Sequence, residues 1–209
     1  SLSANWMLPA KNEGENYRLY KAVEAVSEFA IDLGINIPTG KDSLSMTQKY
    51  PDGKVVYAPG TVIISAVGEV SDIKKAVSTR LQPISGTKLI YIDFSNKPFE
   101  LGGSSFAQTL SKLGDKSPDV DAKYFAKAFN VVQELIYSEL ILSGHDISAG
   151  GMLTTLLEMN FPNVMCGINI DISSFDYDSI TSLFNENPGI IIQVNNELEV
   201  ENTLKTNNL

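Results

Sequence analysis

From Lys88 onward the chain alternates between apolar runs of strand length and segments with three-to-four apolar spacing, and this alternation restricts the fold more than any other feature. Residues 88–94 read as a strand, 104–113 as a helix opening straight after Gly102-Gly103, and 121–140 as a second helix. A glycine-rich turn over 143–151 leads into a helix over 152–160. A strand over 167–172, a helix over 179–185, a strand over 189–194 and a polar helical tail follow. The pattern predicts a mixed α+β or α/β domain.

The first part is also mixed. Leu19, Val23, Val26, Phe29, Ala30 and Leu33 carry one amphipathic helix over 15–33, with Gly34 placed to end it. Residues 35–37 read as a short strand, interrupted by Pro38-Thr39-Gly40, and 42–50 as another. Pro51-Asp52-Gly53 turns the chain. The apolar run over 61–70 predicts a buried strand, and 72–78 a short helix or turn. The breaker cluster Gln82-Pro83-Ile84-Ser85-Gly86 separates two segments that each restart with a strand, so a domain junction is expected near Leu81, between domains 1–81 and 82–209. Ser1 is not a methionine and a helical pattern stops in Lys205-Thr206-Asn207-Asn208-Leu209, so the chain reads as an excised piece of a longer protein.

Composition removes several function classes. With 43% hydrophobic residues the chain has ample material for a packed core, and no apolar run has the length of a membrane span. A formal charge of −9 and the lack of a basic stripe argue against nucleic-acid binding, which needs many Lys and Arg side chains against phosphate. Cys166 is the only cysteine, so no intrachain disulfide forms; with no signal-peptide pattern, a cytoplasmic location is expected. Set between Met165 and Gly167 at the start of an apolar run, Cys166 reads as a core residue rather than a nucleophile. One Cys and one His cannot fill a zinc shell, so any metal is expected to be Mg²⁺.

An acidic chain that binds a phosphorylated small molecule must use backbone N–H groups, a bridging cation and a few placed side chains. Three segments suit this. In Ser143-Gly144-His145-Asp146-Ile147-Ser148-Ala149-Gly150-Gly151, Asp146 can hold Mg²⁺ and Ser148 can donate to a phosphate oxygen; the alternative is that Asp146 or Ser148 caps the following helix. In Gly40-Lys41-Asp42-Ser43, a lysine, a carboxylate and a hydroxyl follow a glycine. That segment lacks P-loop spacing and also reads as a strand-entry turn with solvated charges. Leu101-Gly102-Gly103-Ser104-Ser105 enters a helix as a phosphate-binding turn would, or as an N-cap.

Together with Leu2-Ser3-Ala4-Asn5-Trp6-Met7, Arg18-Leu19-Tyr20, Leu44-Ser45-Met46 and Leu183-Phe184-Asn185-Glu186, these segments stand in an order that resembles the large-form phosphoribosylformylglycinamidine synthase family, specifically its second synthase half. The resemblance implies an aminoimidazole-ribonucleotide-synthase-like fold, with part of an N-terminal-type sheet domain followed by a C-terminal-type α/β domain. It implies an ATP- and Mg²⁺-dependent ligase that converts formylglycinamide ribonucleotide, glutamine and ATP to the amidine. Phosphorylating the amide oxygen makes it a good leaving group, and ammonia from glutamine displaces it. By the same resemblance Asp146 is a Mg²⁺ ligand and Ser148 an ATP or ADP contact. Lys41, Asp42, Ser43, Gly102, Gly103 and Ser104 are further nucleotide-site candidates. The implied partners are the first synthase half and the glutaminase domain, so the piece alone is expected to be inactive. Its alternative role is a non-catalytic scaffold or structural nucleotide module. Ala149 stands where the family often has a second aspartate, leaving this turn one carboxylate fewer. Thiamine-phosphate and selenide kinases belong to the same superfamily, but their motifs differ from Gly-Lys-Asp-Ser-Leu-Ser-Met.

Overall fold

Two parallel strands need a crossover of a dozen or more residues between them, and the start of the chain supplies one. In the computed structural model, which describes residues 1–163 and 167–209, β1 (Leu2–Met7) is followed by helix α1 (Glu15–Asp32) and then by β2 (Thr39–Ser43), parallel to β1. Gly34, at φ 68°, closes α1 with Gly34 N–H on Ile31 O and Ile35 N–H on Ala30 O, the paired bonds of a Schellman stop. Residues 35–37 are not a strand. The strand instead runs through Thr39 and Gly40, because Gly40 lies against the Ala4 main chain, where a Cβ would stand 2.5 Å from the carbonyl oxygen.

The expected strand over 42–50 is divided. Its later part, β3 (Thr47–Lys49), pairs with β4 (Val55–Tyr57) as a hairpin around Pro51-Asp52-Gly53. β5 (Thr61–Ala66) lies antiparallel to β1, giving the order β2-β1-β5. The apolar run was expected to be buried, but all six residues of β5 are exposed: it is an edge strand whose apolar composition fits a pleated ribbon without bringing cover to it. This unit, Ser1–Ser71, buries Ala4, Leu8 and Ala30.

The chain divides into compact units between Ser71 and Asp72. Residues 72–81 hydrogen-bond within the second unit: Ser78 O accepts from Gly144 N–H, and Leu81 N–H donates to Met159 O. In this unit β6 (Lys88–Asp93) leads through α2 (Ser105–Thr109) and α3 (Ala122–Tyr137) to β7 (Ile141–Asp146). Then come α4 (Gly151–Asn160), α5 (Ser179–Phe184), β8 (Gly189–Val194) and α6 (Glu197–Thr206). The sheet order is β6-β8-β7, both pairings antiparallel.

Central β8 is apolar on both faces and is covered on both, as such a strand requires. Ile92 of β6 and Ile192 and Val194 of β8 pack with Ala128, Val131, Val132 and Leu135 of α3 and Val200 and Leu204 of α6. On the other face, Ile191 packs with Met152, Leu156 and Met159 of α4, joined by Leu89 and Tyr91. Residues 167–172, expected as a strand, take no strand pairing, and the reading of Cys166 as a core residue lies outside the described residues. No described helix is long and apolar enough to cross a membrane.

Candidate functional site

Much of the expected glycine-rich turn is strand. Ser143, Gly144, His145 and Asp146 pair with β8, which offers its second edge, so the turn proper begins at Ile147. Two bonds fix its entry: Ile147 N–H donates to Gly189 O at 2.8 Å, and the Thr155 hydroxyl donates to Asp146 O at 3.1 Å. The Asp146 side chain, 76% exposed, leaves the end of β7 with Oδ1 3.3 Å from His145 Nδ1. His145 Nε2 stands 3.3 Å from Glu158 Oε2. Ser148 is exposed.

Neither Asp146 nor Ser148 caps α4. Gly150 holds the N-cap position at φ 90° with no side-chain cap of its own, and its N–H donates to Glu186 Oε1 at 2.8 Å. The two glycines serve close packing. A Cβ on Gly151 would lie 2.6 Å from Asn185 O and 2.8 Å from Leu183 O, and one on Gly150 would lie 2.1 Å from Thr154 Oγ1. The backbone of the turn is therefore fixed by the protein while the Asp146 carboxylate and Ser148 hydroxyl face solvent.

The Gly102-Gly103-Ser104 turn is differently occupied. Gly102 N–H donates to Lys116 O and Gly103 N–H to Leu113 O, each at 2.6 Å, so α2 ends at Thr109 and the following loop folds back over the glycines. Buried Ser104 caps α2, accepting from Ala107 N–H at 3.1 Å and donating to Leu101 O at 2.7 Å. The next amide, Ser105 N–H, donates at 2.8 Å to the same Glu186 Oε1 that holds Gly150. Thus Glu186 joins the starts of α2 and α4. Its neighbours are buried and held: Asn185 donates to Thr181 O and Ser182 O, and Asn187 donates to Ser95 Oγ and Pro98 O.

Lys41, Asp42 and Ser43 lie on β2 in the first unit, with Lys41 Nζ donating to Ser43 Oγ. Among the described residues no group of three or more His, Cys, Asp and Glu could hold a metal ion by itself. A single exposed carboxylate suits Mg²⁺ that shares its shell with phosphate oxygens and water, the usual arrangement for this ion. Within Leu183-Phe184-Asn185-Glu186 no local feature marks Glu186 as an anchor. Its partners stand 36 and 81 residues away, beyond any local periodicity.

The fold is a mixed α/β pair of sheet units carrying an acidic turn beside a helix start. Residues 1–69 match the model of the FGAR-AT PurM_N-like domain, and residues 86–209 match that of the AIR synthase related protein, C-terminal domain. The chain belongs to the AIR synthase related family. It is 42% identical over 195 residues to the probable phosphoribosylformylglycinamidine synthase, chloroplastic/mitochondrial, of Arabidopsis thaliana, a match spanning 92% of this chain and 14% of that protein. The backbone resembles Thermotoga maritima PurL complexed with FGAR, with a TM-score of 0.64 at 12% identity over 99% of this chain and 33% of that one. It also resembles Escherichia coli HypE, a hydrogenase maturation protein, with a TM-score of 0.61 at 18% identity over 98% and 62% of the two chains.

Proposed function

We propose that the chain is a portion, from the second synthase half, of an ATP-dependent ligase that makes formylglycinamidine ribonucleotide from formylglycinamide ribonucleotide, glutamine and ATP. The 42% identity to the Arabidopsis enzyme carries this reading. Asp146 is assigned to Mg²⁺ and Ser148 to ATP or ADP phosphate, because both side chains are free of capping duty on a turn whose backbone is already fixed. Bound there, Mg²⁺ would neutralise phosphate charge. The protein groups hold Asp146 and Ser148 in place, so little reorganisation opposes binding.

Lys41, Asp42 and Ser43 remain proposed contacts through their side chains. Gly102, Gly103 and Ser104 are proposed to shape the nucleotide site, since their N–H groups are engaged within the protein. The first synthase half and a glutaminase domain are the proposed partners, and the piece alone is proposed to be inactive. The fully engaged glycine turns favour one second reading, a structural nucleotide module that scaffolds the enzyme without turnover. A cytoplasmic location is also proposed; the Arabidopsis relative is named chloroplastic/mitochondrial, so an organellar signal from a tagged protein would overturn that.

The test uses the full-length protein carrying this sequence. Asp146→Asn should lower the Mg²⁺ and ADP that copurify with it, and unchanged content would remove the assignment. Amidine formation from ammonia, ATP and Mg²⁺ by residues 1–209 alone would contradict the proposed inactivity.

A further inference from the structure

We infer that Glu186 is the positioning residue of the nucleotide turn, acting on Ser148 through the Gly150 amide; this rests on the nucleotide reading of Asp146 and Ser148. The turn over 146–150 has anchors at both ends, and they are not equivalent. Ile147 N–H on Gly189 O and the Thr155 hydroxyl on Asp146 O hold its beginning. At its other end, Gly150 has no side chain to cap α4, and the Glu186 carboxylate accepts the N–H of Gly150 itself from 36 residues away, the bond that the reaching-back carboxylate of a capping box makes. A carboxylate accepting main-chain N–H groups at a helix start is among the stronger protein hydrogen bonds.

One oxygen, Oε1, also accepts from Ser105 N–H, so movement of either helix start is opposed by the other. The Glu186 backbone is itself set on both sides, by Asn185 capping the end of α5 and by Asn187 tying into the Ser95 and Pro98 loop. Removing the carboxylate releases the Ser148 end while Asp146 keeps its own tethers. The residue touches no ligand in this assignment.

The measurement is Mg²⁺-ADP affinity by calorimetry in the full-length synthase carrying this sequence, alongside thermal melting. Glu186→Ala should weaken affinity about 10-fold, roughly the worth of one hydroxyl hydrogen bond to a charged phosphate. Glu186→Gln keeps an oxygen that can accept both N–H groups and should recover most of that loss. If Glu186 acts through Ser148, Glu186→Ala with Ser148→Ala should bind within about 2-fold of Ser148→Ala alone.

Glu186→Ala that melts lower yet binds like wild type, or losses that simply multiply in the double variant, would overturn the inference. If Glu186→Ala does not fold, Glu186→Asp carries the test: one methylene shorter, it cannot reach both amides, and wild-type affinity there would overturn the inference equally. Asp146→Asn separates the two levels. Wild-type affinity in that variant removes the nucleotide reading itself, whereas lost affinity in Asp146→Asn with none lost in Glu186→Ala removes only the positioning role.

Discussion

The side-chain amide of Gln193 pairs with the main chain of Gln82 as a neighbouring peptide would: Oε1 accepts from Gln82 N–H and Nε2 donates to Gln82 O, each at 2.8 Å. The same amide accepts from the Ser143 hydroxyl at 3.0 Å and donates to Thr87 Oγ1 at 2.9 Å. Buried Gln193 thus has every hydrogen-bonding position filled. Gln193→Leu should cost about 2–4 kcal/mol, because it strands main-chain groups of Gln82 and the buried Ser143 hydroxyl. Urea unfolding measures this, and a loss below about 0.5 kcal/mol, the scatter of an ordinary surface change, would contradict it.

Two glycines with positive φ should respond differently to a methyl group. Gly53 at φ 85° has open space where a Cβ would go, so Gly53→Ala should cost about 1–2 kcal/mol from the left-handed backbone alone. Gly151 at φ 68° faces Asn185 O and Leu183 O within 2.8 Å, so Gly151→Ala adds a main-chain clash and should cost about 3 kcal/mol or more. Equal costs in chemical denaturation would show that the approach of α5 to α4 is unimportant.

Asp178 caps α5 through Ile180 N–H, Thr181 N–H and the Thr181 hydroxyl, and the hydroxyl bond is the leading cause holding its carboxyl below the ordinary 3.8. Asp121 at the start of α3 is lowered in the same direction, first by Tyr124 N–H. A carboxyl lowered in the folded state stabilises fully above its unfolded value. That stabilisation should fade as pH falls from 3.8 through the lower folded values. Melting temperatures of Asp178→Asn and Asp121→Asn across this acid range should fall less steeply than those of the parent; parallel slopes would refute the assignment.

The Tyr91 hydroxyl is buried and has no hydrogen-bond partner among the described residues, and burial, followed by Asp93, pushes its ionisation above the ordinary 10.0. Tyr91→Phe should leave stability unchanged or raise it by up to about 1 kcal/mol, since no bond is lost and a desolvated hydroxyl is removed. The sign at alkaline pH follows: the unfolded phenol ionises first, so the parent loses stability above 10.0. Tyr91→Phe should flatten that decline in alkaline melts, and a steeper decline would reverse the reading.

What the sequence made legible was what short-range spacing encodes. The run Gly189-Ile190-Ile191-Ile192-Gln193-Val194 announced a strand, and Gly34 announced the end of α1. β7 escaped because Ser143-Gly144-His145-Asp146 has little strand propensity; the free edge of β8 decides its conformation. β2 escaped for a related reason, since Gly40 is read as a breaker until Ala4 is seen against it. At the candidate site Asp146 and Ser148 could be picked out by residue type. Their freedom from capping could not, because it depends on Gly150 taking the N-cap position, and the carboxylate that holds Gly150 arrives from a distant segment.

Val62, Ile63 and Ile64 stand exposed along β5, whose outer edge has no strand beside it among the described residues. For anyone handling residues 1–209 by themselves, that ribbon is a colloidal problem before it is a structural one: open main-chain donors and acceptors flanked by branched side chains invite self-association as concentration rises. A lysine at position 63 would serve as a gatekeeper there, slowing that self-association.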